Sequence, residues 1–392
     1  MTAPNPRSPQ TGKPIRVAFV IDTLSVPAGG TEGQLLHLLR GLDRQRFQPR
    51  LYCLRSSRWL ENAFDLCPVE ILNIHLSPSP RLLAHVWRFS RLLRRDGTDV
   101  LQTHFRDANM VGVPAAALAG VPAVVSTRRG VPYWRNRMDL LVQKGLNRRV
   151  TRFVANSRAT RDRAIRDEGI DPARITVIYN GIEAGRYAPR GNDERKTARD
   201  RLGLSPSDPV VGIVANLRPV KGIADFVTAA ARVREAVPGT QFLVVGQGDE
   251  EESLKALAAR LGVGEAVRFL GARADVPDLL PAFDVGVLAS HYESFSNSIL
   301  EYLAAGLPVV VTDVGGAREV VREGEDGFIV PPEDPERMAE RIVALLRAGR
   351  ENRGRGGFER RGFDVPAMVA FHEAVYASLG GDPASERLTD PR

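Results

Sequence analysis

The chain is poor in cysteine: 392 residues hold only Cys53 and Cys67. Two isolated cysteines make neither a disulfide framework nor a zinc-ligand spacing, and they suit a reducing compartment. Long apolar runs are also missing. No stretch of about 18 apolar residues exists, so no membrane-spanning helix is expected. The segment Met1–Gly12, rich in Pro and Ser, lacks the apolar centre of a secretion signal and reads with Lys13 as disordered. The polar end, residues 381–392, reads the same way. No G-x-G-x-x-G follows the first apolar run, which counts against a nicotinamide-dependent oxidoreductase. There is no Asp-x-Asp of the kind that holds a divalent metal against a diphosphate, so no divalent metal and no other cofactor is expected.

Acidic residues are scarce in one half only. Residues 1–185 carry 28 Lys and Arg against 15 Asp and Glu, a balance of +13, whereas the whole chain stands at +7. The remainder is therefore acidic by 6. An asymmetry of this size concerns partners rather than fold. A basic first half suits an anionic membrane surface or an anionic acceptor, or reflects an arginine-rich composition. Without zinc-finger spacing or an aromatic-interleaved RNA motif, nucleic acid is not an expected partner.

What the chain has in abundance is alternation. Short apolar runs such as Ile15–Ile21, Val100–His104 and Ala123–Thr127 are separated by helical patterns such as Glu32–Leu42 and Ala108–Ala119. Leu82–Arg95 reads as a strongly basic amphipathic helix. After a polar stretch, Pro189–Asp208, the alternation restarts with Val210–Ala215, Gln241–Val245, Val267–Leu270, Val285–Ala289, Val309–Thr312 and Gly327–Val330 as strands. Continuous apolar strands separated by helices predict parallel sheets covered on both faces. Two such sets predict two doubly wound α/β domains. In these sheets ligands sit at the carboxyl ends of strands, near the point where strand order reverses.

Three places there could carry chemistry. Gly29-Gly30 follows the first strand and opens a helix, where backbone can approach an anion. Asn216-Leu217-Arg218-Pro219-Val220-Lys221 follows the strand Val210–Ala215. Arg supplies a planar fork and Lys a point charge, a sensible pair for a diphosphate. Glu293 and Glu301 lie eight residues apart after Val285–Ala289, the first on a loop and the second in a helix opened by Ser294 or Ser296. Each feature alone also reads as an ordinary turn or a solvated acid.

Together these residues resemble glycosyltransferase group 1, family 4, the retaining GT-B enzymes, over roughly residues 15–375. Glu293 and Glu301 match the family's E-x7-E signature, and Arg218 and Lys221 its diphosphate-binding pair. Tyr179-Asn180-Gly181-Ile182-Glu183 resembles its N-G-[IV]-D stretch, with Glu183 replacing the commoner Asp. Val245-Gly246-Gln247-Gly248, Ala305-Gly306-Leu307-Pro308-Val309 and Gly324-Glu325-Asp326-Gly327-Phe328 match as well.

The resemblance implies two Rossmann-like domains facing a cleft: residues 14–187 on the acceptor side, 188–364 on the donor side, and a last helix, 365–380, returning to the first domain. It implies that Glu301 binds donor ribose and that Glu293 lies by the transferred sugar. Phe295, Ser296, Asn297 and Ser298 would offer backbone amides, and Gly246 would lie at the donor turn. Gly271, Ala272 and Arg273 would lie near the base, and Gly29 and Gly30 near the diphosphate. His104 would stand in the cleft by the donor sugar, with His291 at a less constant position. Asn216 stands where many relatives have Gly. Arg128 and Arg129 stand where many have a polar residue or His, which would fit a special acceptor or donor. The activity implied is transfer of a sugar from a nucleotide-diphosphate sugar to a glycan or lipid-linked acceptor, in glycolipid, polysaccharide or envelope synthesis. Such an enzyme would be cytoplasmic, or peripheral at the inner face of the membrane. Rival readings are a nucleotide-sugar epimerase of the same fold, a phosphorylase, and a non-catalytic nucleotide-sugar-binding member.

Overall fold

The computed structural model describes residues 13–25, 30–76, 80–130, 136–189, 191–349 and 362–380. Gly29 and both terminal segments expected to be disordered, except Lys13, lie outside these ranges. The chain divides into two compact units, Met1–Gly181 with Val365–Arg392, and Ile182–Asp364. Among the described residues no helix is long and apolar enough to cross a membrane.

In the first unit seven strands form one parallel sheet. They are β1 (Ile15–Ile21), β2 (Phe47–Cys53), β3 (Val69–Ile71), β4 (Val100–Thr103), β5 (Ala123–Arg128), β6 (Arg152–Ala155) and β7 (Ile175–Val177). Their order is β3-β2-β1-β4-β5-β6-β7, so the direction of winding reverses between β1 and β4. Val17, Phe19 and Ile21 on one face of β1 and Val20 on the other are all fully buried, which is why the strand reads as an unbroken apolar run. β2 begins at Phe47, ahead of the expected Arg50, and includes Pro49. Leu51 donates its N–H toward Pro68, on the β3 side. Alternation puts the nitrogen of Pro49 on that same side, before β3 begins, so no ladder bond is lost there.

The second unit holds β8 (Val210–Val214), β9 (Gln241–Val245), β10 (Val267–Phe269), β11 (Val285–Leu288), β12 (Val309–Thr312) and β13 (Gly327–Val330). This parallel sheet runs β10-β9-β8-β11-β12-β13, and its winding reverses between β8 and β11. Large rings press on its glycines: a Cβ on Gly212 would lie 1.9 Å from Phe283, and one on Gly286 2.6 Å from Tyr302. The Tyr302 hydroxyl accepts the N–H of Val214 at 2.7 Å, which ties the helix Asn297–Ala304 to the end of β8.

The polar stretch before β8 is not a linker. Asn192–Arg201 is a helix whose Arg195 and Arg199 are buried. Arg199 donates to the carbonyls of Ser205, Pro206 and Asp208 at 2.8–2.9 Å. Both arginines hold Asp284, at 2.8 and 2.9 Å. The division falls at 181/182 rather than 187/188. Ile182 already pairs with Phe363 and Asp364 of the second unit. The short helix Ala184–Tyr187 packs on Asn297–Ala304 in that same unit. The last helix, Val365–Leu379, belongs to the first unit. Its Tyr376 packs edge-on against Phe19 and Phe47, and its hydroxyl donates to Gln102 at 2.7 Å.

Candidate functional site

The second unit gathers its polar groups at the β8–β11 reversal. After β8 the chain turns through Asn216 and Arg218 into a single 3-10 turn, Pro219–Lys221, and then the helix Ile223–Ala236. Gly222 makes this turn: its φ is +61°, and a Cβ there would stand 2.0 Å from the carbonyl oxygen of Ala289. Only glycine lets the turn sit this close to the end of β11. Lys221 Nζ consequently reaches the Glu293 carboxylate and forms an ion pair with it. Ser290 donates to the same carboxylate oxygen at 3.3 Å, and Thr312 fixes the Ser290 carbonyl at 2.7 Å. Arg218 is exposed and has no carboxylate partner among the described residues. The turn thus carries a planar guanidinium next in line to a paired ammonium.

Gly315, with φ +53°, lies under the same loop, where a Cβ would come within 2.4 Å of the Glu293 carbonyl. His291 lies outside this pair. Its Nε2 is 2.7 Å from Asp225 and its Nδ1 3.9 Å from Glu333.

Ser296 is the N-cap of Asn297–Ala304, but its hydroxyl does not cap the helix; it lies 2.9 Å from the Ser298 hydroxyl. Phe295 is buried and rests against Phe363. Glu301, one turn on, is partly buried. Burial pushes its carboxyl up to about 7, against the opposing pull of a hydrogen bond from Tyr187 and the charge of Arg186. Tyr187 was not apparent as a site residue in the sequence, because nothing near it pairs it with an acid 114 positions later.

Gly246 has φ +144° and a Cβ there would meet the Ala215 carbonyl at 1.9 Å; its N–H donates to Gly271 at 2.9 Å. The turns after β8, β9 and β10 are thus stacked, which brings Asn216, Gly246 and Gly271 to one edge. Ala272 and Arg273 are exposed beside them, and Arg273 is held by both oxygens of Asp275 at 2.6–2.7 Å.

The first unit shows less of what was expected. His104 directly follows β4 and is 2% exposed. Its Nε2 lies 3.1 Å from the Gln102 amide nitrogen, whose oxygen takes the Tyr376 proton; Nδ1 lies 3.5 Å from Thr127. Burial first, then Arg129 and His372, hold its pKa well below the usual value, so the ring is neutral. Phe105, the next residue, has φ +68°, a strained start for its helix, Phe105–Ala119. Gly30, with φ +51°, is exposed at the start of helix Gly30–Gly41. The N-G stretch supports that helix: Gly181 and the Gln34 amide exchange hydrogen bonds of 2.8 and 2.9 Å, and Asn180 accepts from Arg129 at 2.8 Å.

Arg128 corrects the reading of a substrate-specific arginine. It is 2% exposed and doubly bonded to Glu168 at 2.8–2.9 Å, with Asn147 and Ser126 completing its shell. Its cation is spent inside the protein, where no acceptor reaches it.

Residues 208–348 match the family model for glycosyl transferases group 1, and residues 28–186 match that for glycosyltransferase family 4. The UDP-Gal:alpha-D-GlcNAc-diphosphoundecaprenol alpha-1,3-galactosyltransferase of Escherichia coli is 29% identical over 340 residues, covering 80% of this chain and 86% of that protein. A D-inositol 3-phosphate glycosyltransferase of Acidothermus cellulolyticus is 31% identical over 380 residues, 86% of this chain and 84% of the relative. The crystal structure of HepE from Anabaena in complex with UDP superposes with a TM-score of 0.81 at 26% identity, over 93% of this chain and 100% of that one.

Proposed function

The chain belongs to the group 1, family 4 glycosyltransferases, and from that premise we propose that it is a retaining, metal-independent enzyme using a uridine diphosphate sugar. The acceptor we propose is a hydroxyl on a lipid-linked or polysaccharide glycan, met by an enzyme peripheral to the inner membrane face. The UDP in the HepE complex and the undecaprenyl-linked substrate in the galactosyltransferase's name support donor and acceptor respectively.

The observation that carries the reading is the Lys221–Glu293 pair at the β8–β11 reversal, with Arg218 exposed beside it. When the bond from sugar C1 to the diphosphate oxygen breaks, negative charge grows on the leaving group. Lys221 and Arg218 are fixed cations able to neutralise it, as a metal ion does elsewhere. The positive end of helix Asn297–Ala304 adds to the same field. The acceptor oxygen bonds C1 on the face the diphosphate leaves, and its proton passes to the departing phosphate. Glu293, held by Ser290 and Lys221, would orient sugar hydroxyls, and Glu301 would take the ribose hydroxyls. His104, neutral and tied to Gln102, carries no proton in this scheme.

Thermal unfolding with UDP, UDP-sugars, GDP and ADP, each with and without EDTA, tests the reading. A ligand at 100 times its dissociation constant adds about 2.7 kcal/mol of stability. Stabilisation by uridine ligands, unchanged by EDTA, is expected. A shift that needs a divalent metal refutes the metal-free scheme, and a shift only with another base refutes the donor.

A further inference from the structure

The sheet face that meets the last helix is apolar, with three exceptions. Val17, Phe19, Val100 and Val125 share one core with Val375 and Tyr376 of that helix. By alternation Gln102 and His104 lie on the same side as Val100, and Thr127 on the same side as Val125. All three are buried, Gln102 and Thr127 completely and His104 to 2% exposure. Polar groups in such a core must satisfy one another, which leaves little freedom in how they do so.

The protons give every bond a direction. A carbonyl oxygen only accepts, so Thr127 donates its hydroxyl to the Thr103 carbonyl at 3.1 Å. The Thr127 oxygen is then left to accept, and His104 Nδ1 lies 3.5 Å from it. Burial first, and then Arg129, keep a second proton off both His104 and its neighbour His372. His104 therefore holds its one ring proton on Nδ1 and a lone pair on Nε2. Nε2 accepts from the Gln102 amide nitrogen at 3.1 Å, and the Gln102 oxygen accepts from the Tyr376 hydroxyl at 2.7 Å. Turning one of these bonds round would set two protons or two lone pairs against each other at the next.

We propose that Tyr376 is a positioning residue: through Gln102 it fixes His104 in the Nδ1–H tautomer, so that the ring offers a hydrogen-bond donor to the transferred sugar. Packing against Phe19 and Phe47, with ring centroids 6.0–6.1 Å away, needs only the aromatic ring. The hydroxyl is what Gln102 needs. The bond to Thr127 is the longest of the chain, so Nδ1–H gives it up at small cost for a sugar oxygen at ordinary distance. Phe105, strained at φ +68°, follows His104 directly and holds the backbone at this same point. His104 directs a hydrogen bond in this arrangement and shuttles no proton. The role toward the sugar rests on the transferase reading; the tautomer does not.

Long-range 15N–1H correlation spectra of the full chain, labelled at histidine, test the tautomer. The His104 signals are those lost in His104→Asn. Wild type should show Nδ1 protonated and Nε2 bare throughout the neutral range. Gln102→Glu keeps the shape and the bond from Tyr376 but has no N–H to give, so Nε2 should gain a proton. Tyr376→Phe frees the Gln102 amide to turn over, and the two tautomers should mix. Calorimetry with UDP, UDP-glucose, UDP-galactose and UDP-N-acetylglucosamine reads the role. The affinity that the sugar adds to UDP should fall about fivefold in both variants, the scale of one hydrogen bond, while UDP itself binds as in wild type. Loosened packing alone would not make that split. A bare Nδ1 in wild type overturns the tautomer even where a variant fails to fold, and so do variants with the wild-type spectrum. An equal sugar contribution in wild type and both variants overturns the role. Binding of no uridine ligand at all counts against the donor reading, whereas the tautomer stands or falls on the spectra.

Discussion

With Glu301 in its proposed ribose role, donor affinity should depend on pH in the neutral range. Burial raises its carboxyl to about 7, with Tyr187 and Arg186 opposing. In that role two ribose hydroxyls would donate to the two oxygens of the ionised form, so donor binding should expel whatever proton Glu301 holds. A group titrating near 7 is about nine-tenths ionised at pH 8 and about one-tenth at pH 6, so affinity should fall about tenfold between them. The stability of the free protein runs the other way. A carboxyl whose native pKa exceeds its unfolded value stabilises below the unfolded pKa and loses that contribution as pH rises through 7. Calorimetry of a UDP-sugar, whose diphosphate does not titrate in this range, should show release of about half a proton at pH 7 when run in two buffers of unlike ionisation enthalpy. Glu301→Gln should bind weakly and without pH dependence, and Tyr187→Phe should move the midpoint upward by removing a hydrogen bond to the ionised form. Equal affinity at pH 6 and 8, with identical heats in both buffers, would refute both the ribose role and the buried-carboxyl argument.

Lys221→Ala should lower turnover about 10²-fold, the scale of one preorganised transition-state donor, while melting temperature changes little; unchanged turnover removes the diphosphate role. Gly222→Ala, forced to place a methyl 2.0 Å from the Ala289 oxygen at φ +61°, should cost at least about 3 kcal/mol in thermal unfolding, and a variant as stable as wild type would show that the turn is not this tight.

The sheets were legible because parallel strands covered on both faces are apolar at successive positions, as in Val309, Val310 and Val311, and need no alternation to be recognised. The cations and acids of the donor edge were legible because their spacing within the chain is short. What stayed hidden depended on partners far away. Asn192–Arg201 reads as solvated until Asp284 and the carbonyls near 205 are seen to bury its arginines. Helix Arg137–Asn147 resists a reading that puts apolar residues inward, because its buried positions, Asp139, Gln143 and Asn147, are polar. Arg128 looked like a substrate ligand because Glu168, its partner, sits 40 residues on.

The return of helix Val365–Leu379 to the first unit sets an order of birth. Tyr376 fills the space between Phe19 and Phe47, so the first core is unfinished when Gly181 leaves the ribosome. The second unit is one unbroken segment and can close first. At roughly 5–20 residues per second, the earlier half waits about ten to forty seconds for its last helix. During that interval its apolar β1 and β2 lie open, and a chaperone acting on the nascent chain would find its client there.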